Sequence, residues 1–181
     1  MKSYTVTIEG TAPLLMHRFD EIAQAQLSGE VKKASEKPGT PAEQAERAAY
    51  RLETGNLYLP GEAVYNAMVK AATGLKVKGG RGKSYKASAQ GNMNITPEYI
   101  DLGIKDFAVD IRKARVMGRA CMRSRPRIDK WQATFTVEVF DEDGIPKEVL
   151  AEMIATAGQQ VGVLDYRPRF GRFMVTRFDE L

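Results

Sequence analysis

Histidine, cysteine and tryptophan occur once each in this chain of 181 residues, as His17, Cys121 and Trp131. One cysteine rules out an internal disulfide and a cysteine-rich zinc site, and a reducing cytoplasm is the expected location. Cys121 sits among arginines that could lower its pKa, yet it has no second thiol and no catalytic partner, so it is incidental. One histidine means that a Ser-His-Asp triad or a histidine metal site could be built only around His17; no metal and no cofactor is expected. No apolar run approaches the roughly 20 residues needed to cross a bilayer, so no membrane partner is expected. The first eight residues alternate like a strand and lack the apolar core of a signal peptide.

What is present is a hydrophobic fraction of 43% and a charged fraction of 28%, the balance of a globular protein with one core, so residues 1–181 are expected to form a single domain. The net charge is only +4, but it is unevenly spread. Between Lys70 and Lys130 stand fifteen Lys and Arg against five Asp and Glu, while the flanking segments are acidic on balance. Such polarisation is the footprint of nucleic-acid binding.

Tyr4, Val6 and Ile8 alternate with polar residues, which predicts a first strand with one buried face, and Pro13-Leu-Leu-Met-His17 continues it past a bend. Residues 18–56 read as a polar helical insertion. Within it, Thr40-Pro-Ala-Glu43 is a capping-box pattern with proline at the first helical position. Leu57-Tyr-Leu-Pro60 leads into a helix whose apolar stripe is Val64, Ala67, Met68, Ala71 and Leu75. Residues 76–94 carry glycines and lysines with almost no large apolar side chain, which predicts a flexible basic loop. Phe107–Val116 reads as a strand, and Trp131 to Val139 as the clearest strand of all, with Trp131 a core anchor. A helix opened by Pro146 and a closing strand over 172–178 complete the chain. Met68 and Met153 fall on helix stripes and belong to the core. The order strand, helix, strand, strand, helix, strand is the split βαβ arrangement: an α+β, ferredoxin-like (RRM-like) antiparallel sheet with two core helices and inserted helical and loop segments.

Two segments carry the chemistry. The segment from Gly158 to Gly171 places glycines, two arginines and two aromatics in one loop, which ends in Tyr166, Arg167, Arg169, Phe170, Gly171 and Arg172. Guanidinium groups suit phosphate and flat rings suit bases, although glycine at a helix end is also an ordinary αβ connection. Arg119, Arg123, Arg125 and Arg127 fall at alternate positions, so a strand would set them on one face, as a phosphate-tracking ladder or as a solvated hairpin edge. With Lys76, Lys78, Arg81, Lys83 and Lys86 of the basic loop they are the expected nucleic-acid-binding residues.

The apolar Pro13-Leu-Leu ending the first strand, the Leu59-Pro60-Gly61 entry to a helix and the glycine-rich loop before the last strand together resemble the RAMP superfamily. These are the ferredoxin-like RNA-binding proteins of CRISPR systems, and the likeness is to the backbone-subunit type. The family's Pro-Gly-Ser-Ser motif stands here as Pro60-Gly61-Glu62-Ala63, without the serines, and its glycine loop as Gly162 through Gly171. The resemblance implies subunits lined up along a single-stranded guide RNA, with the segment from Lys76 to Asn94 as a thumb or lid. It also implies two catalytic candidates: His17 as general acid or base of a metal-independent endoribonuclease, and Asp20 with Glu21 as a metal-dependent slicing site.

The expectation is therefore a protein that binds single-stranded RNA or DNA, RNA preferred, as a homo-oligomer or with related subunits of a ribonucleoprotein, and more as a binder than as an enzyme. Two alternatives stand beside it: the endoribonuclease using His17, and a non-enzymatic viral assembly or structural protein whose basic arm meets an acidic partner.

Overall fold

The computed structural model describes residues 1–18, 39–116 and 119–181, and the side chains of all of these except 114–116, 119 and 120. Asp20, Glu21 and most of the expected insertion lie outside the described residues. Strand β1 (Lys2–Gly10) is followed by the two-residue β2 (Leu14–Leu15), helix α1 (Pro41–Arg47), β3 (Tyr58–Pro60) and helix α2 (Gly61–Ala72). Helix α3 (Lys86–Asn92) runs directly into β4 (Met93–Thr96), and β5 (Tyr99–Asp101) follows. Then come β6 (Ala108–Val116), β7 (Arg119–Ile128), β8 (Gln132–Val139), helix α4 (Lys147–Thr156) with a π-turn over Ala157–Val161, and β9 (Phe173–Glu180).

The main sheet has the order β4-β8-β1-β9, with every neighbour antiparallel. With α2 and α4 as the two crossovers this is the ferredoxin-like order that the sequence predicts. Tyr4, Val6 and Ile8 of β1 and Ala133, Phe135, Val137 and Val139 of β8 are buried, as are Val64, Ala67 and Met68 of α2 and Leu150, Met153 and Ile154 of α4. The alternation in the strands and the 3.6-residue stripe in the helices thus meet in one core. Trp131 closes its end: it is 3% exposed, its Nε1 donates to Ala12 O at 2.9 Å, and its ring packs on Gly10, where a Cβ would have no room.

One core strand differs from expectation. Phe107–Val116 was expected to be the second strand of the main sheet, but that place is taken by β4. Met93 and Ile95 are buried beside Val139 and Val137, whereas Val109 and Ile111 of β6 are exposed. A strand of four residues shows too little alternation to stand out, and it emerges from a segment poor in large apolar side chains. Residues 76–94 are accordingly more than a loop: Lys76 bridges Ser84, and residues 86–92 are helical.

The strand β6 pairs instead with β7, and β7 with β2, in a second sheet of order β2-β7-β6. The chain leaving β1 bends at Thr11–Pro13 and crosses into this second sheet, where Leu14 and Leu15 are fully buried opposite Ile128 and Arg127. Helix α1 packs on β6 and β7; its Thr40–Glu43 capping box is formed, with Glu43 N donating to Thr40 Oγ1 at 3.3 Å and Thr40 N to Glu43 Oε2 at 2.8 Å. The helix ends at Arg47 and does not run on through the rest of the expected insertion to residue 56. A two-stranded ribbon, β3 with β5, leads into α2.

Candidate nucleic-acid interface

The register of the hairpin decides which side chains share a face. Ala108, Asp110 and Arg112 stand opposite Arg127, Arg125 and Arg123, with Val116 opposite Arg119 at the tip. Directly opposed like charges repel, and Arg112 faces Arg123. Asp110 answers this by taking Arg112 in a two-pronged pair, Nε to Oδ1 at 2.6 Å and Nη2 to Oδ2 at 2.9 Å. Arg127 is held by Asp129 at 2.6 Å, with Asp110 at 3.8 Å.

Against this face lies the glycine-rich loop. Arg125 pairs with Asp165, and its guanidinium stands 5.1 Å from the centroid of the Tyr166 ring. Arg112 lies over Phe170 at 4.5 Å and over Tyr166 at 5.8 Å, and the Tyr166 hydroxyl donates to Lys113 O at 3.1 Å. These contacts hold Tyr166 at φ +58°, an uncommon conformation for a side chain of that size. The loop is closed by backbone against backbone: Val163 N donates to Gly171 O at 3.0 Å and Gly171 N to Pro13 O at 2.9 Å. With φ +69° at Gly171 and the Val163 carbonyl where a Cβ would be, only glycine fits there. The loop's glycines therefore shape and anchor it.

Several expected contact residues change role on this geometry. Arg125 is 5% exposed and structural, although its Nη1 finds no hydrogen-bond partner among the described residues. Phe170 is 6% exposed, packed beneath Arg112 and not open to a base. Arg127 is committed to aspartates. Arg123, Arg167, Arg169 and Arg172 make no ion pair among the described residues, and the last three are exposed, as is Lys113. Tyr166 is 37% exposed. Arg119 sits on β7 at the hairpin tip. Lys76, Lys78, Arg81, Lys83 and Lys86 are exposed beyond the end of α2, where Tyr85 N donates to Leu75 O at 3.0 Å and Tyr65 reaches Gln90 O at 2.8 Å. No hydrogen bond or ion pair among the described residues joins that segment to the hairpin or the glycine loop.

His17 stands in the same cluster, beside Asp165, Arg125 and Arg123. Burial holds its imidazole below the ordinary value; Asp165 acts against this, and Arg125 and Arg123 reinforce it. Near neutral pH it is therefore uncharged. The sequence reading missed Asp110, Arg112 and Asp165 as parts of this site. For the first two a signal was available, because Asp110 and Arg112 alternate on the predicted strand that immediately precedes the arginines in the chain. Asp165 had no such signal, since only the packing of the loop on the hairpin reveals its partner.

Among the described residues no helix is long and apolar enough to cross a membrane. No family model matches the chain, and no curated protein matches it. Among solved structures it is similar to a chain of the cryo-EM structure of the Type III-B Cmr-beta bound to cognate target RNA, with a TM-score of 0.54 at 13% identity. The match covers 99% of this chain and 61% of that one, so this chain spans less than two thirds of its neighbour's length. At that identity the likeness is one of fold: the ferredoxin-like arrangement implied by the RAMP resemblance is shared with a chain of an RNA-bound assembly.

Proposed function

We propose that this protein binds single-stranded nucleic acid, RNA by preference, where the arginine hairpin meets the glycine-rich loop, and that copies or related subunits line up along the strand. The observation that carries the reading is the docking of these two elements through Arg125–Asp165 and the Arg112 contacts with Phe170 and Tyr166. Docking pairs Arg125 with Asp165 and leaves Arg123, on the same hairpin face, and Arg167 and Arg169, on the loop, without an ion pair around one junction. Planar guanidinium groups held this way suit successive phosphates, and the half-exposed Tyr166 offers a face to a base. A module of this size covers few nucleotides, so neighbours on the same strand would add avidity.

The test is a gel-shift series with single-stranded RNA, single-stranded DNA and duplex of equal length, repeated across salt. The expected result is tightest retention of single-stranded RNA, with affinity falling by a slope of about 0.7 per phosphate contact in a log–log plot. An Arg123→Glu, Arg169→Glu protein should lose binding and flatten that slope while keeping its unfolding midpoint. If the wild-type protein retains none of the three at low salt, the reading is wrong and an assembly role with an acidic protein partner takes its place.

A further inference from the structure

The short β3–β5 ribbon has a second face that the charge pattern does not reveal. Leu59 and Ile100 are fully buried and face each other in the register. Strand alternation then turns Tyr58 and Tyr99 to the opposite side, where they sit diagonally across the ribbon. Their rings meet edge to face at 4.8 Å, and Tyr50 continues the row at 5.4 Å from Tyr58 with the same interplanar angle of 61°. The row is pinned by backbone, since Tyr58 N donates to Tyr50 O at 2.9 Å. Tyr99, at its outer end, is 51% exposed.

Residues 15–18 tie the segment that carries the row to the glycine loop. Arg18 N donates to Ala48 O at 2.9 Å, two residues before Tyr50, and Asp165 N of the glycine loop donates to Leu15 O at 3.1 Å. The ionisation of Tyr50 senses both ends: burial raises its pKa first, Tyr58 adds to this, Arg18 opposes it, and Asp165 and Glu62 raise it further. The outer end of the row makes no ion pair with a cation among the described residues, and it carries carboxylates: the Tyr99 hydroxyl donates to Glu98, and Asp101 lies opposite Tyr58 on the same face. These carboxylates repel a phosphate there, whereas an unpaired base gains a ring face with few rotatable bonds to immobilise.

We infer that the Tyr50–Tyr58–Tyr99 row is a base-stacking track that extends the binding site from the arginine junction across the β3–β5 ribbon, with Tyr99 the platform for an unpaired nucleobase. The inference rests on the proposed function and adds to the same site a second part that recognises bases and not phosphates. Tyr50 and Tyr58 back the platform and hold its angle; Tyr99 makes the contact.

The experiment measures fluorescence anisotropy of a labelled single-stranded RNA and of the same ribose-phosphate chain made without bases, on wild type, Tyr99→Ala and Tyr99→Phe. Tyr99→Ala should weaken binding of the RNA about tenfold, the scale of one lost stack, with the salt slope unchanged. Tyr99→Phe keeps the ring and should bind within about twofold of wild type. The baseless chain should bind wild type and Tyr99→Ala alike. Equal binding of RNA by wild type and Tyr99→Ala, together with loss of binding in the Arg123→Glu, Arg169→Glu protein, overturns the track and leaves the arginine site standing. Wild-type protein that binds no RNA overturns both. Weakening by Tyr99→Ala that is the same for the baseless chain also overturns it, because the residue would then act through the backbone or the fold.

Discussion

The main sheet is held against its two helices by side chains such as Val6, Ile8, Phe135 and Val137, none more than 2% exposed, whereas the hairpin sheet covers its inner face with Asp110, Arg112 and Arg125. Apolar burial is non-directional and tolerates many side chains of suitable size. Charged burial is directional: each guanidinium needs a carboxylate or a ring face at a definite place, and a missing partner leaves a costly buried charge. The first sheet is thus a scaffold. The second is a site whose shape depends on a handful of specific contacts across to the glycine loop, so damage there should stay local.

Three substitutions break or sharpen that contrast. The largest effect is expected from Trp131→Ala, which removes the side chain closing the core and leaves a cavity beside Gly10. A loss of about 3–5 kcal/mol is expected in denaturant unfolding, with both sheets affected together. Next comes Asp165→Asn. It strands Arg125 without its carboxylate, at about 2 kcal/mol, below the range for fully buried pairs because the Asp165 side chain is 31% exposed. Hydrogen exchange should rise in β6, β7 and the glycine loop and stay low in β1 and β8. Uniform exchange throughout would show that the two sheets unfold as one unit. The smallest effect concerns His17. Its folded-state pKa lies below the unfolded value near 6.5, so the folded state binds fewer protons than the unfolded one in the window between the two. Stability should be full above that window, fall as pH drops through it, and level off below the depressed pKa. A His17→Gln protein should lack this component of the pH dependence in a series of unfolding midpoints.

The legible parts of the fold were those with long periodic patterns. Strands β1 and β8, the stripes of α2 and α4 and the capping box at Thr40 all follow from local sequence, because periods of 2 and 3.6 and a cap are written in neighbouring residues. Strand β4 was not legible, because four residues carry too short a pattern and its partner lies some forty positions along the chain in β8. The arginine alternation of β7 was legible as a shared face, but not which arginines would be consumed. Arg125 and Arg127 look the same as Arg123 in sequence; Asp165, Asp110 and Asp129 distinguish them only after the chain has folded. The row of Tyr50, Tyr58 and Tyr99 likewise joins residues 8 and 41 positions apart along the chain, and Tyr58 and Tyr99 share a face only because Leu59 and Ile100 turn inward.

The amino-acid sequence by itself determined an α+β domain with one apolar core, a concentration of positive charge in its middle third and a glycine-rich turn before the last strand, since each of these depends on composition or on residues close along the chain. Tertiary structure alone decided that β6 leaves the main sheet to form a separate hairpin, that the hairpin docks on the glycine loop, and that only some of the cations remain free. Those outcomes depend on pairings between distant carboxylates, guanidinium groups and backbone carbonyls, and such pairings exist only once loop closure has brought the partners within a few ångströms of one another.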